Sequence, residues 1–512
     1  MPGNMSLEKS SFSDKQTDRL LLAVLIAFTL FVRLYFLQMI NVGPDEIDYW
    51  FSAKRLIGPG AYPDLMHRTI RWAIILPTAF FQLLLGMHPL VYYVVPVFNS
   101  LVQTVLLFLL GKHLFGRGVS FYAVLLFTAW PYMWRTGSQI RPAVFSLTYV
   151  LAALCLLFFY LEHAQDDSRR SRLCFVGSVL ALFLAYESKI TNLYFLPGIL
   201  IVLLLRHRRM GPAIRYGLYL LGLYVIEHVA YFVAVGDPLG RLGIIAKNHL
   251  ASSYADKLPK SFWGLFERYT IYLEFPWHLL LIAFVAASIY LLAKKKPWIR
   301  ELTVLHASFF FFLTFMVKSI KPIVPVEAFL DRYFIACLPT MSLVIVYALH
   351  ELLPLSIVGE LNRRGVLISL TAGLSVVMLL ITALPMPKSI ERFYTPLQRI
   401  HDHPIAKTFE FQHLIASAIE ENIPILSVDT RKPLDTANRV FFDDPKKGRW
   451  ARPIGKLEIE GHVVYYLDGI GNVPFAFDVQ EGSTNVLWCD RFNFDMTMLK
   501  LREIPNLGDI YE

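Results

Sequence analysis

The chain has 512 residues, of which 55% are hydrophobic and only 17% are charged, and its mean hydropathy is +0.48. Soluble globular proteins have about 45–50% apolar and about 25% charged residues, so this composition excludes a soluble enzyme. The net charge of +9 does not indicate a nucleic-acid-binding protein. The basic residues follow the ends of apolar segments, which is the pattern that sets membrane orientation.

The apolar residues are grouped into eleven segments that predict transmembrane helices, because a bilayer core of about 30 Å requires about 20 apolar residues in a helix. The first segment, Leu20–Met39, has no small-residue cleavage site after it and is interpreted as a retained signal anchor. The predicted spans are residues 20–40, 90–111, 119–135, 142–161, 173–188, 190–205, 213–235, 275–293, 302–319, 332–352 and 365–385.

Two assignments decide the predicted topology. The apolar segment Arg71–Gly86 would form a helix of about 24 Å, too short for the bilayer core, and is assigned to the interface. Leu173–Leu205 is long enough for two short spans, with the polar residues Glu187–Asn192 at a hairpin tip. With both assignments, the basic loops fall on the side of the N-terminus. The sequence therefore predicts a plasma (inner) membrane protein with a cytoplasmic N-terminus, residues 1–19.

The basic residues behind this prediction are in five short loops. They are Lys112 and Arg117; Arg169, Arg170 and Arg172; Arg206, Arg208, Arg209 and Arg215; Lys294, Lys295, Lys296 and Arg300; and Arg363 and Arg364.

The predicted fold class is a polytopic α-helical membrane protein of about 11 transmembrane helices with a small C-terminal α/β domain outside the cytoplasm. Residues 20–385 form the transmembrane module, with external loops at 41–89 and 236–274. Residues 386–512 form the extracytoplasmic domain, with a helix predicted at 405–421 and strands at 423–428, 463–467 and 485–488.

Three carboxylates, Asp45, Glu46 and Asp48, follow the first span immediately. One interpretation is a well-capped interfacial helix, since Pro44 suits a first helical turn and acids there interact favourably with the helix dipole. The other is a carboxylate at the membrane–water boundary that takes a proton from a hydroxyl acceptor or holds a metal ion.

Several short motifs occur in a fixed order along residues 20–350. They are Phe31–Leu34, Gly43–Glu46 with Tyr49, Leu114–Arg117, Ser188–Lys189, Asp331–Tyr333 and Leu338–Pro339. In order and membrane placement this set resembles the GT-C glycosyltransferases, which use a sugar linked to polyprenyl phosphate. It is similar in particular to protein O-mannosyltransferases and to the aminoarabinose and lipopolysaccharide-core sugar transferases. The resemblance implies a GT-C-like membrane fold.

By this resemblance Asp45 is the general base of the active site, with Glu46 beside it. The departing phosphate of the donor requires cations near the outer interface. Lys189 is the first candidate, because relatives carry a Ser/Thr-Lys pair there. The other candidates are Arg68, Arg71, Arg241, Lys247 and Arg268. The alternative for each is contact with a phospholipid headgroup.

A divalent metal ion is the one cofactor that the resemblance suggests, with Glu46, His67 and His249 as candidate ligands; the alternative for each histidine is a surface or packing role. Several relatives have an acidic residue near Arg141–Val144, where this chain has none. Arg33, inside the first span, is expected to pair within the bundle and to have a structural role, since an unpaired charge there is costly.

The sequence as a whole predicts a membrane hexosyl- or pentosyltransferase that uses a polyprenyl-phosphate sugar. The expected acceptor is extracytoplasmic, such as lipopolysaccharide or a lipid-linked glycan, and direct displacement would invert the anomeric centre. A protein O-glycosyltransferase is the alternative within the superfamily. A secondary transporter, using ionisable residues such as Arg33, Glu187 and Glu227 near mid-membrane, and a non-catalytic scaffold are the alternatives of other classes.

Overall fold

A computed structural model describes most of the N-terminal 352 residues and six strands nearer the C-terminus. The described residues are 12–35, 37, 44–58, 65, 67–86, 89–163, 168–250, 262–271, 275–320, 323–325, 331–352, 452–459, 462–468, 474–475, 477–480, 483–488 and 500–503.

Fifteen α-helices occur within these residues. They are α1 Phe12–Tyr35, α2 Pro44–Ile57, α3 Trp72–Leu85, α4 Pro89–Phe115, α5 Arg117–Ala129, α6 Pro131–Thr136, α7 Pro142–Glu162, α8 Arg169–Ser188, α9 Leu196–His207, α10 Gly211–Val235, α11 Arg241–Leu250, α12 Gly264–Ile271, α13 Phe275–Ala293, α14 Ile299–Phe315 and α15 Leu338–Leu352. Short 3-10 helices cover Ile190–Phe195, Asp331–Tyr333 and Ile335–Cys337.

Eight strands occur within the described residues, and every described pairing is antiparallel. The strands are β1 Val317–Ile320, β2 Ile323–Pro325, β3 Arg452–Ile459, β4 His462–Asp468, β5 Pro474–Phe475, β6 Phe477–Gln480, β7 Ser483–Trp488 and β8 Lys500–Glu503. β1 pairs with β2, and the others form the sheets β3-β4-β5 and β6-β7-β8. The predicted strands 463–467 and 485–488 lie within β4 and β7. The predicted helix 405–421 and strand 423–428 lie outside the described residues, so the α/β character of this domain stays a prediction.

The protein is an integral membrane protein. Within the described residues six helices are long and apolar enough to cross a membrane: Val91–Phe115, Pro142–Glu162, Arg169–Ser188, Ile190–His207, Gly211–Ala234 and Ile335–Leu352. Shorter apolar helices cover Trp72–Leu85, Arg117–Ala129 and Trp277–Ala293. The predicted span 365–385 lies outside the described residues, and the count of eleven stays a prediction. The helix at Trp72–Leu85 has 14 residues, and its length of about 21 Å is short of a bilayer core.

The chain divides into two compact units. The first comprises Met1–Phe36, Asp64–Ile74 and Pro96–Pro387, and the second comprises Leu37–Pro63, Ile75–Val95 and Lys388–Glu512. The first unit therefore contains the helix bundle from α5 to α15, together with α1 and most of α4.

Small and hydroxyl side chains hold the helices of the first unit together. Thr29 on α1 hydrogen-bonds Thr104 on α4 at 2.9 Å, and Ser178 on α8 contacts the Tyr216 hydroxyl on α10 at 3.1 Å. Gly198 on α9 lies so close to α14 that an added Cβ would come within 3.0 Å of the Leu305 Cα. Close approach at glycine and hydrogen bonds between hydroxyls are typical of helix packing in membranes, where apolar surface gives no net drive between helices.

Aromatic contacts place several predicted cytoplasmic loops at one end of the first unit, called here the basic end and formed by residues 112–117, 158–163, 168–175, 206–216 and 294–301. The Trp298 ring lies 5.4 Å from Phe158, 6.3 Å from His113 and 3.9 Å from the Arg206 guanidinium. Asp18 on α1 forms ion pairs with Lys112 and Arg117 at the same end. Four of the five basic loops that the sequence assigned to one side therefore lie together, and the fifth, with Arg363 and Arg364, lies outside the described residues.

The chain reverses direction between α8 and α9, as the hairpin prediction requires. Tyr160 lies 4.9 Å from Phe175 near the start of α8 and 5.4 Å from His207 at the end of α9. The start of α8 and the end of α9 therefore both lie at the basic end. The turn between the two helices, at Lys189, lies at the opposite end of the first unit. This opposite end, formed by residues 67–73, 186–192, 227–241 and 332–333, is called here the tip end.

Candidate functional site

The predicted catalytic carboxylates lie in the first turn of α2, in the second unit. The helix begins at Pro44, as expected from proline's fixed φ and missing N–H at a helix start. Asp45 and Glu46 are its second and third residues, where a helix N-terminus favours negative charge. The side chain of Asp45 lies outside the described part of the chain.

Glu46 is buried, and its carboxylate accepts a hydrogen bond of 2.7 Å from the Tyr92 hydroxyl at the start of α4. The Tyr92 ring also lies 5.8 Å from that of Trp50 on α2. Gln82 on α3 donates to the Trp50 carbonyl at 3.0 Å. These contacts fix the first turns of α2 against α3 and α4, and they give Glu46 a positioning partner that the sequence did not reveal.

The tip end of the first unit contains four of the predicted phosphate-binding cations, Arg68, Arg71, Lys189 and Arg241, and two of them contact the end of α8. Arg71 donates from its Nη1 to the Ser188 carbonyl at 3.2 Å. Arg241 donates from its Nη2 to the Glu187 carbonyl at 2.6 Å. The last carbonyls of a helix have no partner within the helix and attract positive charge, so two arginines from the two loops predicted to be external cap α8.

Arg241 is also the centre of a buried ion-pair cluster. Its Nη1 lies 2.7 Å from a Glu187 oxygen and 3.2 Å from a Glu227 oxygen of α10. Its guanidinium stands 4.8 Å from the Tyr186 ring. Burial alone would lower the pKa of Arg241, but the carboxylates of Glu187 and Glu227 and the Tyr186 hydroxyl outweigh it, so the pKa of Arg241 lies above its usual value.

Lys189 follows directly and has extended backbone, with φ of −157°. Its Nζ donates to the Arg332 carbonyl at 2.8 Å and stands 3.9 Å from the centre of the Tyr333 ring. The Arg332 guanidinium lies 5.6 Å from the same ring. Tyr333 therefore holds two cations near one another at the tip end, through cation–π contact.

Arg33 is fully buried near the end of α1, 15 residues beyond Asp18 and so about 22 Å from the basic end. Its Nε donates to the Ser100 hydroxyl at 3.1 Å and its Nη1 to the Met133 carbonyl at 2.9 Å. Met133 lies in the last turns of the short helix α6, whose carbonyl dipoles favour a cation. The expected pairing inside the bundle is therefore with a hydroxyl and a carbonyl.

The other predicted residues are placed less fully. Arg68 and His67 are half-buried in the turn 67–70 at the tip end. Arg268 lies on α12, and Lys247 and His249 on α11, but their side chains are outside the described part. Among the described residues no group of three His, Cys, Asp or Glu side chains could hold a metal ion. The metal assignment to Glu46, His67 and His249 stays a prediction.

Four contributors at these sites were not assigned to the glycosyltransferase site from the sequence. Tyr92 is one of many aromatic residues at helix ends, so nothing distinguished it. Arg332 and Tyr333 belong to a recognised motif, but the motif alone does not say that they meet Lys189, 143 positions away. Glu227 is an acid in an apolar helix, which is a signal of a functional or paired group, yet its pairing with Arg241 depends on how the loop after α10 folds back.

Residues 71–232 match the sequence model of the family described as dolichyl-phosphate-mannose-protein mannosyltransferase. This match confirms the resemblance to glycosyltransferases with polyprenyl-phosphate sugar donors, and it includes Arg71, Glu187, Lys189 and Glu227. No curated protein matches the chain in sequence.

Solved membrane proteins are also similar to the chain at low identity. ArnT from Cupriavidus metallidurans in the apo state gives a TM-score of 0.49 and 15% identity, over 84% of this chain and 85% of ArnT. The same protein bound to undecaprenyl phosphate gives 0.48 and 14%, over 83% and 85%. AglB from Archaeoglobus fulgidus, in complex with an inhibitory peptide and a dolichol-phosphate, gives 0.42 and 12%, over 77% of this chain and 60% of AglB.

Proposed function

We propose that the protein is a membrane glycosyltransferase that moves a hexosyl or pentosyl group from a polyprenyl-phosphate donor to an acceptor outside the cytoplasm. The observation that carries this proposal is the family match over residues 71–232. The matched segment begins at Arg71 and contains the whole α8–α9 hairpin, so it includes two of the candidate cations at the tip end, Arg71 and Lys189.

The chemistry required is modest, because the donor already has a good leaving group. Asp45 would accept the proton of the acceptor hydroxyl, whose oxygen then forms a bond to the anomeric carbon of the sugar. The bond from that carbon to the phosphate oxygen breaks, and the polyprenyl phosphate leaves with the electron pair. Attack from the face opposite the leaving group inverts the anomeric centre.

The departing phosphate needs positive charge at the moment when its own charge develops. Lys189 is suited to this role, since its Nζ is held at one position by the Arg332 carbonyl and the Tyr333 ring. Arg332 adds a second cation beside the same ring, 5.6 Å from its centre. Held cations need no reorganisation when the phosphate departs, which is the basis of electrostatic catalysis.

For the acceptor, we infer lipopolysaccharide or another lipid-linked glycan at the plasma (inner) membrane, with residues 386–512 contributing to acceptor recognition. A protein acceptor is the second candidate, and it is favoured by the description of the matched family as a protein mannosyltransferase. Transfer assays with a glycolipid and with a Ser/Thr-rich peptide as competing acceptors distinguish the two.

The arrangement of ionisable groups counts against a secondary transporter. Glu187 and Glu227 are both bound to Arg241 at the tip end, and Arg33 is bound to Ser100 and Met133. A transporter would be expected to keep such groups near mid-membrane at a substrate path.

The decisive experiment measures release of polyprenyl phosphate from a radiolabelled polyprenyl-phosphate sugar by the purified full-length protein in nanodiscs that also contain the glycolipid acceptor. The variant Asp45→Asn should abolish release, because an amide cannot accept the proton. Lys189→Ala should lower kcat by about a hundredfold, the usual range for one lost group that stabilises a developing charge. Asp48→Asn serves as a matched control three positions along α2. Unchanged release by Asp45→Asn would refute the assignment of the base.

A further inference from the structure

The end of α8 is held by both external loops at consecutive residues. Arg241 of the second loop caps the Glu187 carbonyl, and Arg71 of the first loop caps the Ser188 carbonyl. The next residue is Lys189, whose Nζ contacts the Arg332 carbonyl. Three segments that are far apart in the chain therefore meet on three successive residues of the hairpin tip.

Arg241 donates two hydrogen bonds to Glu187, one to its carbonyl at 2.6 Å and one to its carboxylate at 2.7 Å. Because both contacts are to one residue, they fix the direction in which the chain leaves α8. Asn192 adds a further restraint, since its Nδ2 donates to the Ala185 carbonyl at 2.8 Å. The position of Lys189 Nζ depends on this exit direction.

The charge balance around Arg241 is unfavourable for a direct role in phosphate binding. The Arg241 side chain is 4% exposed, and two carboxylates already contact its guanidinium. In a site of low dielectric constant, the two negative charges would repel a phosphate placed beside Arg241. The positive charge of Arg241 is therefore balanced by carboxylates of the protein itself.

We propose that Glu187 and Arg241 are positioning residues that hold Lys189 in place for the donor phosphate, and that Arg241 is not itself a phosphate ligand. This inference rests on the proposed function. It reassigns one of the six cations proposed from the sequence, and it gives a role to Glu187, which had been considered only as an intramembrane acid of a transporter.

The two possible roles of Arg241 predict opposite changes in the affinity for undecaprenyl phosphate when Glu187 is replaced by glutamine. If Arg241 bound phosphate, Glu187→Gln would remove a competing carboxylate and tighten binding of undecaprenyl phosphate. If the pair positions Lys189, the same substitution weakens binding. We expect the affinity for undecaprenyl phosphate to fall by about tenfold, which is the size of effect typical of residues that contact one another and act together. Binding is measured on the full-length protein in nanodiscs, with undecaprenol, which lacks the phosphate, as the reference ligand.

A matched control exists at the basic end of the same unit. Glu301 is equally buried and pairs with Arg206 at 2.9 Å. Glu301→Gln should leave the affinity for undecaprenyl phosphate unchanged. Arg241→Lys keeps the positive charge but cannot hydrogen-bond both the carbonyl and the carboxylate of Glu187. It should therefore weaken binding of undecaprenyl phosphate as Glu187→Gln does. Tighter or unchanged binding in Glu187→Gln would overturn the inference.

A double-mutant cycle tests whether the effect passes through Lys189. In a Lys189→Ala background, Glu187→Gln should have no further effect on the affinity for undecaprenyl phosphate. Additive losses in the double variant would show that Glu187 and Arg241 act independently of Lys189, which would contradict the proposal.

A second readout requires no donor. Reductive methylation of Lys189, followed by mass spectrometry, should be at least about threefold faster in Glu187→Gln and Arg241→Lys than in the wild type or Glu301→Gln, if the pair holds the amine against Tyr333. Equal rates in all four proteins would overturn the inference. Wild-type protein that binds no undecaprenyl phosphate would instead overturn the proposed function, and the methylation rates would still decide the role of the pair.

Discussion

The two ends of the first unit each place a buried glutamate against arginine, but with opposite surroundings. At the basic end Glu301 contacts Arg206 at 2.9 Å and Arg300 at 3.1 Å, and the two arginine side chains are 35% and 56% exposed. At the tip end Arg241 is only 4% exposed and contacts Glu187 and Glu227. One end therefore has two accessible arginines for one carboxylate, and the other has one buried arginine for two carboxylates.

This difference shows why counting basic residues and assigning them roles are separate problems. Arginines at the basic end keep their charged heads accessible, where they can contact lipid headgroups and set orientation. Arg241 is buried and caps the end of helix α8. A positive charge near the membrane surface indicates a ligand site only when its protein partners leave it available.

The largest expected difference between the two ends is in their labelling by an impermeant reagent, which tests which end faces the cytoplasm. In a variant without the native cysteines, a cysteine is introduced by Arg209→Cys at the basic end or by Trp263→Cys in the second loop predicted to be external, and both positions are exposed. An impermeant maleimide applied to intact cells should label position 263 and leave position 209 unlabelled. After permeabilisation both should react. Labelling of position 209 in intact cells would reverse the predicted topology.

Removing the buried arginine should destabilise the protein strongly. Arg241→Ala leaves two carboxylates buried without their cation, and a broken buried pair costs about 3–5 kcal/mol. The free energy of unfolding, measured by denaturant titration in detergent micelles, checks this value. Arg208→Ala, an exposed residue of the basic end, is the control and should change stability little. A loss below about 1 kcal/mol would mean that the cluster is not the buried pair described here.

Gly137 tests the packing around Arg33. A Cβ at this position would lie 2.5 Å from the Arg33 Nε and 2.6 Å from the Met133 carbonyl oxygen, so Gly137→Ala should displace the guanidinium. Overpacking of this kind costs about 1–3 kcal/mol. Gly217→Ala is the matched control, because nothing lies within 4 Å of its added methyl group, and it should be neutral or stabilising. Equal unfolding midpoints for the two variants would contradict the contact.

The smallest effect is expected at the basic end. Arg206→Ala removes an ion pair with Glu301 and a cation–π contact of 3.9 Å with Trp298. Arg300 remains on Glu301, and the lost groups are partly exposed, so we expect a change of at most about 1 kcal/mol in the free energy of unfolding. A loss as large as that of Arg241→Ala would remove the distinction between the two ends.

The sequence by itself determined that this is a membrane protein, where many of its helices lie, and that four of its basic loops share one end of the first unit. These follow from local properties, since helix length and hydropathy belong to continuous segments and the basic residues flank them. It also identified α2 from Pro44 and the hairpin turn from the polar residues near Lys189. The order of short motifs was enough to indicate the glycosyltransferase resemblance that the family match over residues 71–232 confirms.

The tertiary structure alone decided which charges meet. Arg241 and Glu187 are separated by 54 positions, and Lys189 and Arg332 by 143. Such pairs depend on how loops fold back onto helix ends, and no local pattern encodes that. The sequence could propose Arg241 as a phosphate-binding cation because it lies in an external loop. The structure shows it buried between two carboxylates, because the uncapped carbonyls at the end of α8 and two acids within reach bind a guanidinium inside the protein.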